Sequence, residues 1–300
     1  MPKKSLTEAK NDRSHKLDEM TALEIVTLMN EEDQTIPVSI QPALPDIASA
    51  VEAICDRWEK GGRVFVAGAG TSGRLGMLDA VELGPTFSIP AERWIALVAG
   101  GHEAMWQPLE QNEDDETAIL AELQQADFGA NDVIIGISAS GSTPYVLSAL
   151  SYGNQTGALT ISISCNKPAR ASDFSQVKIE VATGAEIIRG STRLKAGTAQ
   201  KMILNMISTA VMVRLGKVYQ NEMVDMQLIN KKLIGRAQSM ITELAGVTPD
   251  EAKSLLEQSG YQVKSALFMA MTGTTVDEAK VFLRLEKGRL KQALQRFFNK

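Results

Sequence analysis

Short apolar segments alternate with helical patterns through the middle of this 300-residue chain. Each segment has the length of a strand, and helices are expected in most of the gaps between them. Strands that are apolar throughout and separated by helices are typical of a parallel sheet covered on both faces. The sequence therefore predicts an α/β fold, a doubly wound five-stranded parallel sheet, whose ligands bind beyond the carboxyl ends of the strands. The predicted strands are residues 64–67, 94–98, 132–137, 159–164 and 177–182.

The two ends of the chain differ from this alternation. Near the start, a capping box at Thr21 precedes an apolar helix, while Pro37, Pro42 and Pro45 are expected to interrupt regular structure. Near the other end, capping boxes at Thr248 and Thr275 each introduce another apolar helix. We expect three parts: an N-terminal helical arm (1–45), an α/β domain (46–222) and a small C-terminal helical bundle (235–300).

Two turns of small residues follow the first and third predicted strands. The first turn, Gly68 to Gly73, runs into a helix, and the start of a helix can bind an anion through its free N–H groups and the positive end of its dipole. The second turn, Ser138-Ala-Ser-Gly-Ser-Thr143, carries four hydroxyls and no charge. Either turn alone is typical of an ordinary βα connection, but together they indicate a phosphate site. The predicted phosphate ligands are Thr71, Ser72, Ser138, Ser140, Ser142 and Thr143.

A polar loop after the fifth strand is a further candidate for the site. It contains Arg189, Ser191, Thr192 and Lys195, and it runs into a long apolar helix predicted over residues 199–217. We predict that Lys195 binds substrate; the alternative is that this stretch is only the polar start of a helix.

The first turn also matches the dinucleotide fingerprint Gly-x-Gly-x-x-Gly. A dinucleotide site needs an acidic residue about 20 positions on, at the end of the next strand. That strand ends in Ala99-Gly-Gly-His102, which offers no carboxylate. The sequence therefore disfavours a nicotinamide cofactor.

Composition narrows the class of protein further. The net charge of −5 and the pI near 5.3 argue against a nucleic-acid surface. Two cysteines (Cys55 and Cys165) and two histidines (His15 and His102) offer no disulfide framework and no zinc site. The first residues lack the apolar core of a signal peptide, and no apolar run reaches the length of a membrane span. We expect a soluble cytoplasmic protein with no metal, cofactor, nucleic-acid partner or membrane partner.

Several stretches carry a resemblance to a known family. They are Leu6-Thr-Glu8, Gly68-Ala-Gly-Thr-Ser-Gly-Arg-Leu75, Asp79-Ala-Val-Glu82, Ser138-Ala-Ser-Gly-Ser-Thr143 and Leu194-Lys-Ala-Gly-Thr-Ala-Gln-Lys201. The chain closely resembles the N-acetylmuramic acid 6-phosphate etherases, which belong to the sugar isomerase (SIS) superfamily. It also resembles the related glucokinase regulatory protein, which binds sugar phosphates without turning them over. The resemblance implies that residues 46–222 form a SIS sugar-phosphate-binding domain.

The resemblance also implies a reaction and its residues. The reaction is hydrolytic cleavage of the D-lactyl ether of N-acetylmuramic acid 6-phosphate, without a cofactor, in the recycling or catabolism of cell-wall amino sugars. The resemblance further implies a homodimer whose active sites are shared between the two subunits. Its two catalytic glutamates map onto Glu82, as the acid for the lactyl oxygen, and Glu113, as the base; Glu110 and Glu116 are neighbouring alternatives to Glu113.

Two other functions fit the same predicted scaffold. A sugar-phosphate isomerase would use a base but expel no leaving group, and release of lactate would distinguish it from an etherase. A non-enzymatic sugar-phosphate sensor would tolerate the loss of Glu82, so the presence of this residue favours an enzyme.

Overall fold

The central sheet confirms the fold that the hydrophobic pattern predicts. The computed structural model describes residues 5–299. Five parallel strands lie in the order β2-β1-β3-β4-β5. Every residue of β1, β3 and β4 is buried, because helices cover both faces of the sheet. The strands are β1 (Val64–Gly68), β2 (Trp94–Val98), β3 (Val133–Ser138), β4 (Leu159–Ser164) and β5 (Val177–Glu180).

The helices agree with the predicted pattern but differ at some ends. Pro37, Pro42 and Pro45 do not interrupt regular structure. Each lies in the first turn of a helix, where the missing N–H is tolerated, and the helix of Pro42 is the short 3₁₀ helix Gln41–Ala43. The long apolar helix begins at Lys195, earlier than predicted, and ends at Arg214. In chain order the helices are α1 (Ala22–Asp33), α2 (Thr35–Ile40), α3 (Leu44–Glu59), α4 (Gly70–Phe87), α5 (Ala118–Gln125), α6 (Pro144–Thr156), α7 (Lys195–Arg214), α8 (Lys231–Ala245), α9 (Pro249–Gln258), α10 (Val263–Thr272), α11 (Val276–Leu285) and α12 (Leu290–Phe298).

The strand order brings the two small-residue turns together. β2 pairs with one edge of β1, and β3, the next strand along the chain, pairs with the other edge of β1. Ligands of doubly wound sheets bind at such a switch point, where the neighbouring connections diverge. Gly68 at the end of β1 is in register with Ile137 of β3, so the turns that follow these two strands open side by side.

The chain divides into two compact units. The first runs to Val81, resumes over Ala91–Thr209 and contains the sheet; the second comprises Glu82–Pro90 and the residues from Ala210 onward. Two of the three boundaries fall within α4 and α7, and the third, between Pro90 and Ala91, lies between α4 and β2. The three-part division at residues 45, 222 and 235 stays a prediction. Between residues 5 and 299, none of the helices combines the length and the apolar character that crossing a membrane requires.

Helices α8–α12 form the C-terminal part of the second unit. The capping boxes predicted at Thr248 and Thr275 are both formed, each with a glutamate three residues later. The rings of Phe268, Phe282 and Phe297 lie against one another, with centroids 5.4–5.8 Å apart. These contacts give the helical region an aromatic core of its own.

Candidate active site

A cavity of about 600 Å³ opens at the carboxyl ends of β1 and β3, within the first unit. This volume is within the range of small-molecule sites. The structure brings most of the predicted site residues together here. Those that line the cavity are Thr71, Ser72, Ser138, Ser140, Ser142, Thr143 and Glu113.

The loop after β3 presents its hydroxyls as a connected group. The Ser138 hydroxyl lies 2.8 Å from that of Thr143 and 3.2 Å from that of Ser140. Ser138 Oγ also accepts a hydrogen bond from the Gly141 N–H at 3.0 Å. Thr143 is the N-cap of α6, yet its side chain accepts no capping hydrogen bond from the helix. The loop therefore offers a phosphate several neutral donors beside the start of a helix.

Gly141 allows this loop its conformation. Its φ is +72°, in the left-handed region that other residues rarely adopt. A Cβ placed there would lie 2.5 Å from the Cβ of Ala169, which is closer than two carbon atoms can pack. Glycine is therefore required at this position both by the left-handed backbone conformation and by the close approach of Ala169.

The turn after β1 also lines the cavity. The first residue of α4, Gly70, has a φ of +52°, and Thr71 and Ser72 follow it in the first turn of the helix. The buried Ser72 hydroxyl donates to Oε1 of Gln200 on α7 at 2.9 Å. Gln200, itself fully buried, therefore orients Ser72, a role that no feature of the sequence indicated.

Several carboxylates also line the cavity. Glu113 lines it together with Glu110 and Asp114, and Glu116 is not among the lining residues. Partial burial raises the pKa of Glu113 above its ordinary value, and the negative charges of Asp114 and Glu110 add to the effect. A carboxylate with a raised pKa is suited to accept a proton near neutral pH.

Arg74 is a lining residue that the sequence analysis did not select as a ligand. It is the cation among the residues that line the cavity. Its Nε donates to the carbonyl of Ala104 at 2.9 Å, and its Nη2 donates to that of Gln107 at 3.0 Å. Arg74 thus ties α4 to the segment that leads to Glu113. The sequence signal that could have identified Arg74 was its position within the Gly68–Leu75 motif.

Lys195 lies elsewhere than expected. Its Nζ is 2.7 Å from Oε2 of Glu32 on α1, its side chain is only 6% exposed, and it does not line the cavity. Burial alone would raise the pKa of Glu32, but the hydrogen bond and the charge of Lys195 outweigh burial and lower it. Thr192 of the polar loop lines the cavity, as the loop was expected to do, whereas Lys195 begins α7 and belongs to a buried ion pair.

Glu82 belongs to the second unit. It lies on α4 and its side chain is exposed. Among residues 5–299, no three His, Cys, Asp or Glu side chains are grouped so that they could hold a metal ion.

Comparison with known proteins identifies the family. The chain is 60% identical over 289 residues to the N-acetylmuramic acid 6-phosphate etherase 2 of Bacillus licheniformis. The aligned residues cover 96% of this chain and 97% of that protein. This chain belongs to the N-acetylmuramic acid 6-phosphate etherase family. The etherase 1 of Enterococcus faecalis is 46% identical and covers 96% of both chains. The resemblance predicted from the motifs is confirmed.

Domain-level matches agree with this family. The model of the N-terminal SIS domain of glucokinase regulatory protein matches residues 46–154, that of the SIS domain matches 115–210, and that of the C-terminal lid domain of glucokinase regulatory protein matches 220–281. A solved Bacteroides fragilis structure, named as a phosphosugar isomerase involved in capsule formation, aligns with a TM-score of 0.52 at 21% identity, covering 67% of this chain and 95% of that one. This likeness shows that the chain shares the fold of that structure, and the SIS assignment comes from the matching family models.

Proposed function

We propose that this protein cleaves the D-lactyl ether of N-acetylmuramic acid 6-phosphate to N-acetylglucosamine 6-phosphate and D-lactate. The observation that carries the proposal is the 60% identity to an etherase over nearly the whole of both chains. The cavity supports it, because a neutral phosphate loop and a carboxylate with a raised pKa line the same space.

The substrate's phosphate binds between the two small-residue turns. Hydroxyls and backbone N–H groups at the starts of α4 and α6 donate to it, aided by the positive ends of the helix dipoles. The ligands are Thr71, Ser72, Ser138, Ser140, Ser142 and Thr143. Lys195 is left out of this set, because its ammonium group is bound to Glu32 outside the cavity.

Two carboxyl groups then carry the chemistry. In the open-chain sugar the C2 proton is acidic because it neighbours the C1 aldehyde, and Glu113 removes it as general base. Glu82 protonates the ether oxygen, so that lactate leaves C3 as the C2–C3 double bond forms. Glu113 then releases its proton to solvent, removes a proton from water as the water oxygen adds to C3 of the unsaturated aldehyde, and delivers that proton to C2. Glu82 takes up a proton from solvent, which restores both carboxyl groups. The reaction is an elimination followed by a hydration, and the protein is a lyase of a carbon–oxygen bond.

The surface around Glu82 supports a homodimer. Leu78 lies one helical turn before Glu82 on the same face of α4, and Val81 lies beside it. Leu78 is 47% exposed and Val81 is 58% exposed. Exposed apolar side chains next to a catalytic carboxyl group fit a helix face that a second copy covers. We propose that two chains share each site, with Glu82 and Glu113 contributed by different subunits.

Release of D-lactate tests the reaction. Purified protein is mixed with N-acetylmuramic acid 6-phosphate, without added metal or nucleotide, and D-lactate is followed by a coupled assay. Glu82→Gln and Glu113→Gln should each lower kcat by roughly 10²–10⁴-fold. Glu116→Gln, a matched change outside the cavity, should leave kcat unchanged. Tight binding without lactate would replace the etherase by a sensor, and isomerisation without lactate would replace it by an isomerase.

Mixing the two inactive variants tests the shared site. If the glutamates of one site come from different subunits, a mixed dimer of Glu82→Ala and Glu113→Ala chains holds one site with both glutamates intact. Random exchange would then restore about a quarter of the wild-type activity. If both glutamates come from one chain, every site lacks one of them and no activity returns.

The cellular setting follows from the substrate. N-acetylmuramic acid is a cell-wall amino sugar, so we propose that the protein acts in the recycling or catabolism of peptidoglycan sugars in the cytoplasm. A strain that lacks the gene should accumulate N-acetylmuramic acid 6-phosphate in its cytoplasmic fraction, and normal levels there would contradict this role.

A further inference from the structure

A buried asparagine at the end of β4 holds the start of the described chain. Oδ1 of Asn166 accepts hydrogen bonds from the hydroxyl of Ser5 at 2.7 Å and from the N–H of Leu6 at 2.6 Å. Its Nδ2 donates to Oγ1 of Thr7 at 3.1 Å and to the carbonyl of Ala139 at 2.8 Å. One side chain, 3% exposed, thus joins the N-terminal segment to the phosphate loop.

The same segment is fixed again beyond Asn166. Leu6–Glu8 form a single 3₁₀ turn, and Thr7 is 1% exposed. The backbone carbonyl of Glu8 accepts a hydrogen bond from Nε of Arg189 at 2.8 Å. With its backbone held at both ends, the segment places Thr7 and Glu8 on the lining of the cavity.

The carboxylate of Glu8 lies beside a glycine and has no partner among residues 5–299. A Cβ placed on Gly190 would lie 3.3 Å and 3.4 Å from its two oxygens, so the glycine leaves the carboxylate uncovered. Within residues 5–299, the carboxylate makes no hydrogen bond and no ion pair. An ionised carboxylate can only accept hydrogen bonds, so a ligand that binds it must donate them.

The geometry points to Glu8 as a substrate-binding residue and to Asn166 as the residue that positions it. This inference rests on the proposed function. The phosphate and the lactyl carboxylate of the substrate are negative and would be repelled by Glu8. The groups that can donate to it are the hydroxyls and the acetamido N–H of the open-chain sugar. Glu8 therefore recognises the sugar portion of the substrate, while the hydroxyl loop recognises its phosphate.

Calorimetric binding of three probes tests the role of Glu8, and it does not depend on turnover. The probes are N-acetylglucosamine 6-phosphate, glucose 6-phosphate and inorganic phosphate. Glu8→Ala should weaken N-acetylglucosamine 6-phosphate about tenfold and leave inorganic phosphate unchanged. If glucose 6-phosphate weakens equally, a hydroxyl is the donor; if it does not weaken, the acetamido N–H is the donor.

A matched control and a kinetic measurement complete this test. Asp12→Ala removes an exposed carboxylate from the same N-terminal region, outside the cavity, and should change none of the three affinities. In lactate release, Glu8→Ala should raise KM about tenfold. Affinities and KM within twofold of wild type for Glu8→Ala would overturn the inference. Absence of lactate from the wild type would instead overturn the proposed reaction.

A double-mutant cycle tests the positioning role of Asn166. Asn166→Asp keeps the acceptor for Leu6 but places a carboxylate oxygen against the carbonyl of Ala139, so the segment should detach from the cavity. The loss of affinity for N-acetylglucosamine 6-phosphate should be large in the wild-type background and small in the Glu8→Ala background, because coupled residues are not additive. Equal losses in both backgrounds would show that Asn166 does not act through Glu8.

Discussion

The buried pair of Lys195 and Glu32 gives the sharpest test of the structure, because sequence reasoning placed the lysine in the substrate site. The two side chains are 6% and 10% exposed and are joined at 2.7 Å. Lys195→Met keeps most of the volume but leaves the carboxylate of Glu32 buried without its main partner. Such a loss typically costs about 3–5 kcal/mol. Arg13 remains 3.2 Å from the other oxygen of Glu32, so we expect the lower end, about 3 kcal/mol.

The pH dependence of this loss has a definite sign. In the wild type the pKa of Glu32 is lowered, so the pair stabilises the fold above the ordinary value of 4.5, and this contribution is lost as pH falls through the lowered pKa. Without Lys195 the burial of Glu32 acts with less opposition, and the charged form destabilises the fold. The difference in stability between variant and wild type should therefore be largest at pH 7 and should shrink as the pH approaches 4.

Thermal unfolding followed by circular dichroism measures the effect. For a unit of this size, a loss of about 3 kcal/mol lowers Tm by roughly 6–12 °C. Lys201→Met, an exposed lysine on the same helix, is the matched control and should shift Tm little. Adding Glu32→Gln to Lys195→Met should recover most of the loss, because no buried charge then lacks a partner. An unchanged Tm together with a KM raised tenfold or more would refute this reasoning and return Lys195 to the substrate site.

Three further changes test other parts of the molecule. Asp114→Asn removes a charge that raises the pKa of Glu113, so the acid limb of the kcat/KM profile should move to lower pH; an unmoved limb would mean that another group titrates. Gly141→Ala should abolish phosphate binding, because the new Cβ would lie 2.5 Å from the Cβ of Ala169. Its control is Gly184→Ala, at a glycine with a φ of +76° and open space around it, which should lower the free energy of unfolding in a urea melt by only about 1–2 kcal/mol. Thr248→Ala removes the cap of α9 and should cost about 1 kcal/mol in the same melt without changing KM; no loss would mean that the cap contributes nothing.

The parts of the fold that depend on local patterns could be predicted from the sequence. Short runs rich in β-branched and apolar residues between helical patterns are a local signal, and four of the five predicted strands agree with the structure to within one residue at each end. Glycines and hydroxyls at the start of a helix are also a local signal, which is why the sequence could select the two turns that line the cavity; their binding of phosphate stays a prediction. The prolines misled the prediction of the arm because a proline fits the first turn of a helix as well as it breaks a later one.

The residues that were missed or misplaced depend on contacts between distant parts of the chain. Lys195 pairs with Glu32 across 163 positions, and Asn166 binds Leu6 across 160. No period or spacing in a single sequence links residues so far apart. Arg74 stood inside a motif, but its role depends on carbonyl groups some 30 residues further on, which carry no side-chain signal.

If the proposed function is right, the charges that line the cavity explain how one site can bind the phosphate of the substrate and also contain a basic carboxylate. Four of the lining residues are acidic (Glu8, Glu110, Glu113 and Asp114), against one cation, Arg74. These carboxylates would repel the negatively charged phosphate and lactyl groups if both groups bound against them. The hydroxyl loop removes the conflict, because neutral donors bind phosphate without a counter-charge. The acidic neighbours can then raise the pKa of Glu113, and a bound phosphate, as a further negative charge, acts on it in the same direction. In the proposed reaction, Glu113 is therefore the stronger base when the substrate is bound, which is when the C2 proton would have to be removed.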